Sequence, residues 1–210
     1  MNHIFDWFFS QYQGVPTHLI ILEFTGVVFG FLSVWYSKKE NILVYPTGIV
    51  STAIFVYILL FYGLLGDMLI NVYYFIMSIY GWYYWTRKDA NNHEVPVTKT
   101  TNKEHIWSLF IFIFTILFVV AVYLYDGKFN TWTAYIDTLT TGIFFVGMWL
   151  MAKKKLENWI YWIIGDIISV PLYFYKGLMF TSFQYLLFTV IAIYGYKAWK
   201  KSLNSNQQIV

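Results

Sequence analysis

Seven stretches of about 20 residues, near 18–37, 42–62, 66–86, 106–125, 133–152, 158–176 and 179–199, are apolar and nearly free of interior charge. A helix rises 1.5 Å per residue, so about 20 residues cross a ~30 Å hydrocarbon core. Lipid offers the backbone no hydrogen-bond partners, which leaves helices and closed barrels as spanning structures. Only 12% of the residues are charged while 59% are hydrophobic, too few polar groups to coat a soluble domain. The expected fold class is an all-α integral membrane protein of seven transmembrane helices, with the lipid bilayer as a partner. The start, "MNHIFDWFFSQYQG", has neither a basic region nor a small-residue cleavage site, so no signal cleavage is expected. The absence of cysteine excludes disulfides, thiolate metal sites and a cysteine nucleophile.

The 14 Lys and Arg residues lie at or just beyond the ends of these stretches. With the N-terminus outside, Lys38, Lys39, Arg87, Lys88, Lys99, Lys103, Lys153, Lys154, Lys155, Lys197, Lys200 and Lys201 face inward. Lys128 and Lys176 face outward. Cytoplasmic loops concentrate Lys and Arg, so a split of twelve against two predicts N-out, C-in. No basic patch is left over for a nucleic acid.

The chain repeats itself. Residues 63–85, "GLLGDMLINVYYFIMSIYGWYYW", align without gaps on 177–199, "GLMFTSFQYLLFTVIAIYGYKAW", at an offset of 114. Gly63, Leu64, Ile79, Tyr80, Gly81 and Trp85 recur as Gly177, Leu178, Ile193, Tyr194, Gly195 and Trp199. The same offset pairs Glu23 with Asp137 and Trp35 with Trp149, while the "KKEN" turn at 38–41 matches "KKLEN" with a shift of three. The resulting plan is an extracytoplasmic start (1–17), a three-helix half (18–86), a polar cytoplasmic linker with a linking helix (87–125), a second half (126–199) and a solvated tail (200–210). One linking helix makes the two halves parallel, an arrangement common among transporters, with the substrate site near the midplane between the halves.

On the sixth span Trp159, Trp162, Asp166, Ser169 and Tyr173 follow at separations of 3, 4, 3 and 4, which places them on one helical face. Asp166 lies halfway along, where an acid costs roughly 2.5–3.5 kcal/mol on insertion scales and usually faces a cavity. Gly165 lets another backbone approach there, and Pro171 kinks the helix. Asn71, Tyr74, Ser78 and Trp82 form a second stripe on the third span. The second span adds Ser51 and Thr52, and the seventh adds Gln184. Aromatic faces around one carboxylate suit a planar, cationic or aromatic small molecule. Trp159, near the cytoplasmic end, reads equally well as an interfacial belt residue. Glu23 and Asp137, in the outer third of their helices, either cap or pair locally or line an outer gate, and the structural role is the preferred reading. No phosphate-binding loop, hydrolase motif, mid-membrane Schiff-base lysine or buried histidine pair is present, so neither an enzyme nor a cofactor or metal site is expected.

The segments "IYGWYYWTRK" (79–88) and "ENWIYWIIGDIISVPLYFYKG" (157–177), in a three-one-three plan, resemble the Pnu family of vitamin transporters, best known for its nicotinamide riboside branch. The resemblance covers nearly the whole chain. It implies a fold similar to a full-length SWEET transporter and facilitated diffusion across a bacterial inner membrane. A cytoplasmic kinase then traps the vitamin, and binding residues lie on the second, third, sixth and seventh helices. Substrate contacts are thereby expected at Asp166, Trp162, Asn71, Ser78, Tyr74, Ser169, Ser51, Gln184 and Trp159. In the nicotinamide riboside branch, amides prevail at positions matching Ser51, Asn71, Ser78 and Asp166, whereas this chain keeps an amide at Asn71 alone. Related branches carry thiamine or riboflavin, so nicotinamide riboside is the leading substrate and thiamine the alternative, with a non-transporting membrane vitamin-binding protein as the competing class. The aliphatic and aromatic fourth span is the expected surface for any homo-oligomer.

Overall fold

The computed structural model describes residues 14–88, 94–125, 127, 129–176 and 179–207. The first thirteen residues, His93, Lys128, and Gly177 with Leu178 lie outside them. The described residues form seven helices: α1 (Thr17–Lys38), α2 (Val44–Phe61), α3 (Leu65–Trp85), α4 (Asn102–Tyr125), α5 (Trp132–Ala152), α6 (Asn158–Tyr175) and α7 (Met179–Gln207). The seven-helix, all-α expectation is borne out. α1, α2, α4 and α5 are long and apolar enough to cross a membrane on composition alone. α3, α6 and α7 fall short of that criterion. Asn71, Asp166 and Gln184 sit on these three, and all turn toward the interior.

Helices α1, α2 and α3 pack in sequence, as do α5, α6 and α7, and the halves meet where α1 touches α7 and α3 touches α5. Those two junctions exchange under the repeat, as a two-fold axis requires. The offset of 114 persists through the turns that the sequence suggested were shifted. Glu40 and Lys154, 114 apart, both take positive φ (54° and 57°). The amide of Asn41 bonds the Tyr36 carbonyl just as Lys155 bonds Leu150, at 3.0 and 2.9 Å. Backbone geometry holds the register even where the residue types have diverged.

Two boundaries differ from expectation. α4 begins at Asn102, not 106, because Thr101 and Glu104 form a capping box. The Thr101 amide and hydroxyl both donate to Glu104 Oε2 at 2.9 Å, and the Glu104 amide returns to Thr101 Oγ1 at 3.4 Å. Glu104 also accepts from Lys153 and Lys155, each at 2.9 Å, which ties the start of α4 to the α5–α6 turn. The preceding linker is docked as well: Thr98 exchanges backbone bonds with Lys154 and Leu156, and Val97 is buried. At the other end α7 runs on to Gln207 through what reads as a solvated tail. Trp199 and Leu203, one turn apart, are both buried in the core cluster there. α4 packs on α5 and turns Ile106, Phe110, Ile113 and Leu117 outward, as a lipid-facing helix does.

The core sits at the basic end, the end with Lys38, Lys154 and Lys197, and it obeys the repeat. Gly81 leaves room for the Tyr45 ring and Gly195 for the Trp159 ring, each where a Cβ would collide with the ring. Tyr45 stands edge-on to Trp85 (5.1 Å, 89°) as Trp159 does to Trp199 (5.5 Å, 89°). The Gly195→Ala substitution should therefore lower the melting temperature of the detergent-solubilised protein. Overpacking of this kind costs about 1–3 kcal/mol. An unchanged melting temperature would show that the Trp159 ring can move aside.

Candidate functional site

A cavity of about 550 Å³ lies between the two halves. Every expected contact residue except Ser169 lines it: Ser51 on α2, Asn71, Tyr74 and Ser78 on α3, Trp159, Trp162 and Asp166 on α6, and Gln184 on α7. Ser169 is buried away from the cavity, 1% exposed, and its hydroxyl lacks a partner. Trp159, for which an interfacial belt was the other reading, is 2% exposed and closes the basic end of the cavity.

Asp166 is 3% exposed, and among the described residues its carboxylate has neither a hydrogen bond nor an ion pair. Burying a charge without compensation is costly, which makes Asp166 the candidate among the lining residues for meeting a cation that the described residues do not provide. Gly165 beside it admits a ring rather than a backbone: the Phe144 ring occupies the space where a Cβ would stand. Phe144 in turn lies 5.5 Å from Trp162 and 6.0 Å from Tyr185, at interplanar angles of 28° and 9°. Tyr185 stacks on Tyr173 at 5.1 Å. Gly165 thus seats a run of parallel aromatic faces beside the acid.

The remaining polar groups are chiefly acceptors. The Ser51 hydroxyl donates to the Gly26 carbonyl, Thr52 to Gly48 and Ser78 to Tyr74, all at 2.8 Å. Each hydroxyl has spent its proton and keeps lone pairs for a guest. Asn71 donates one amide hydrogen to the Asp67 carbonyl at 3.0 Å. Asp166 and Glu23 are both on the wall, and no Lys, Arg or His joins them among the lining residues. The cavity therefore favours a donor-bearing cation with a flat ring system and opposes an anion.

Phe144, Tyr185 and Phe188 are cavity residues that the polar-stripe reading missed. Adding 114 to the α3 stripe would have found two of them: Asn71, Tyr74 and Ser78 map to Tyr185, Phe188 and Ala192, and all six line the cavity. Thr52 maps to Asp166, Gly48 to Trp162 and Gly30 to Phe144. The first half supplies small and polar groups where the second supplies rings and the acid, so a pseudo-symmetric frame encloses an asymmetric site.

The basic end of the cavity is closed by contacts that exchange between the halves. The Trp85 indole N–H donates to the Met151 carbonyl (3.3 Å), and its repeat mate Trp199 donates to the Ser37 carbonyl (2.9 Å). Ser37 and Met151, themselves 114 apart, meet at 3.3 Å through Oγ and Sδ. Lys154 Nζ lies 3.8 Å from Glu40 and 4.6 Å over the Trp85 ring. Burial pulls the Lys154 ammonium below its ordinary pKa, and Glu40 and Glu94 oppose that shift.

A family model described as "Nicotinamide mononucleotide transporter" matches residues 20–201. The chain is 26% identical over 230 residues to the nicotinamide riboside transporter PnuC of Escherichia coli K12, covering 92% of this chain and 95% of the relative. It is 24% identical over 186 residues to the riboflavin/roseoflavin transporter RibM of Streptomyces davaonensis, with 87% and 85% covered. A crystal structure of the vitamin B3 transporter PnuC superposes with a TM-score of 0.66 at 19% identity, over 93% of this chain and 86% of that one. That likeness is one of fold.

The closure at the basic end is testable because the native chain has no cysteine. A Ser78→Cys variant should react slowly with a membrane-impermeant thiol reagent applied from the basic side. Adding Trp85→Phe and Trp199→Phe, which removes both indole donors, should speed that reaction several-fold. Equal rates would place the seal elsewhere.

Proposed function

The chain belongs to the nicotinamide mononucleotide transporter family, and we propose that it carries nicotinamide riboside into a bacterial cell by facilitated diffusion. The observation that carries this reading is the carboxylate of Asp166, without a partner among the described residues and buried beside Trp162 and Phe144 in a cavity whose described lining holds no cation. Nicotinamide riboside is a flat monocation whose amide and ribose hydroxyls donate hydrogen bonds, the complement of an acceptor-rich, doubly acidic site. Its phosphorylated form would bring a dianionic group against Glu23 and Asp166, which disfavours the mononucleotide itself. Phosphorylation by a cytoplasmic kinase would then keep the vitamin inside, in keeping with a chain that has no energy-coupling motif. Asp166, Trp162, Asn71, Ser78, Tyr74, Ser51, Gln184 and Trp159 are the proposed contacts. The basic end is taken as cytoplasmic on the positive-inside rule. On that orientation the exchanged Trp85 and Trp199 bonds form the inner gate, and substrate enters from the outside.

Thiamine is the second reading, favoured by one feature: position 166 is an acid where the nicotinamide riboside branch has an amide. A carboxylate can accept a hydrogen bond from the amino group of the thiamine pyrimidine and is attracted to the thiazolium charge.

Purified protein in vesicles should equilibrate labelled nicotinamide riboside without an ion gradient, and Asp166→Ala should cut the rate at least tenfold. Binding without flux would make the protein a vitamin receptor instead. Tryptophan quenching with nicotinamide riboside and thiamine side by side assigns the substrate: tighter binding of thiamine overturns the leading choice.

A further inference from the structure

The repeat pairs Glu23 with Asp137, yet the two halves treat these acids differently. Asp137 accepts a hydrogen bond from Lys176 Nζ, so its charge is balanced inside the second half. Subtracting 114 from Lys176 leads to Tyr62, so the first half has no cation to match. Among the described residues nothing pairs with Glu23, and its side chain is on the cavity wall. A duplicated structural acid would have kept its duplicated partner. The loss of the cation on one side of the axis, the cavity side, is what remains to be explained.

Depth gives Glu23 a role distinct from that of Asp166. Glu23 is six residues into α1, roughly 9 Å from the end opposite the basic one, whereas Asp166 is nine residues from the same end of α6, roughly 14 Å in. Glu23 is half-buried and Asp166 buried, so the two carboxylates form an outer and an inner position along one path.

We propose that Glu23 is a second substrate-facing carboxylate, an outer station that attracts an organic cation into the cavity and selects it over neutral and anionic analogues before Asp166 receives it. This inference rests on the reading of the protein as a transporter of a cationic vitamin. An acid near the mouth acts over a distance and is screened by salt, while contacts to the ring and to Asp166 are not.

The test is binding to the detergent-solubilised full chain by tryptophan quenching, at low and high ionic strength. The probes are nicotinamide riboside, its uncharged dihydro form, and thiamine. The Glu23→Gln variant should bind the cation roughly fivefold more weakly at low salt and lose most of the salt dependence. Its affinity for the dihydro form should not change. Glu23→Asp should retain the salt dependence, and Asp137→Asn should leave cation affinity intact even where it lowers the melting temperature. If Glu23→Gln binds the cation like the unaltered protein, or loses the dihydro form equally, Glu23 is a packing residue and the inference falls alone. Should Glu23→Gln fail to fold, the unaltered protein still decides: a cation affinity independent of salt overturns the outer station. Failure of the unaltered protein to bind either cation removes the transport reading together with this inference.

Discussion

The two indole–carbonyl bonds that exchange between the halves are the contact on which the rest of this structure depends. Trp85 reaches across to Met151 and Trp199 reaches back to Ser37. Lipid is as apolar as the outer surface of either half, so burial of hydrocarbon does little to hold the halves together inside a bilayer. Directional hydrogen bonds and close packing must do it. Both bonds lie at the basic end, and further along the α3–α5 junction the Tyr73 hydroxyl crosses as well, donating to the Phe145 carbonyl at 2.8 Å. Two glycines make the packing at the basic end possible: Gly81 and Gly195 admit the Tyr45 and Trp159 rings, which stand edge-on to the two tryptophans.

Duplication provides the frame and divergence provides the site. Backbone features survive at the offset of 114 where side chains have changed, as the left-handed residues Glu40 and Lys154 demonstrate. Within that frame Gly30, Gly48 and Thr52 correspond to Phe144, Trp162 and Asp166. A symmetric cavity would present two identical walls, whereas these substitutions give this one two different walls. Room for the larger residues comes from within their own half, where the Phe144 ring packs on Gly165 and Trp162 against Gly147.

The acids follow the same logic. Glu104 is held by a capping box and two lysines, and Asp137 by Lys176, so each has local compensation. Asp166 has none among the described residues and lies deep in the cavity wall. Keeping a carboxylate charged at that depth is costly, and the described residues supply no cation to offset it. Among the described residues the acids therefore divide into those the fold pairs, such as Glu104 and Asp137, and those it leaves on the cavity wall, Glu23 and Asp166.

The sequence by itself determined the helices, their number and the repeat, because hydrophobic length and a fixed offset are written along the chain and need no neighbours. Most of the cavity was legible for the same reason: Asn71, Tyr74 and Ser78, like Trp162 and Asp166, share helical faces by spacing alone. Tertiary structure decided which of those faces meet. It set Ser169 behind the wall although it lies on the Asp166 stripe, because helix neighbours, not spacing, close off that side. It seated Phe144 on Gly165, docked the polar linker through Thr98 and Thr100 against the α5–α6 turn and Glu157, and extended α7 to Gln207. It also separated Glu23 from Asp137, two acids that look equivalent in sequence. Whether an acid is neutralised depends on what approaches it across space, and only the packed helices put Lys176 beside one and an open cavity beside the other.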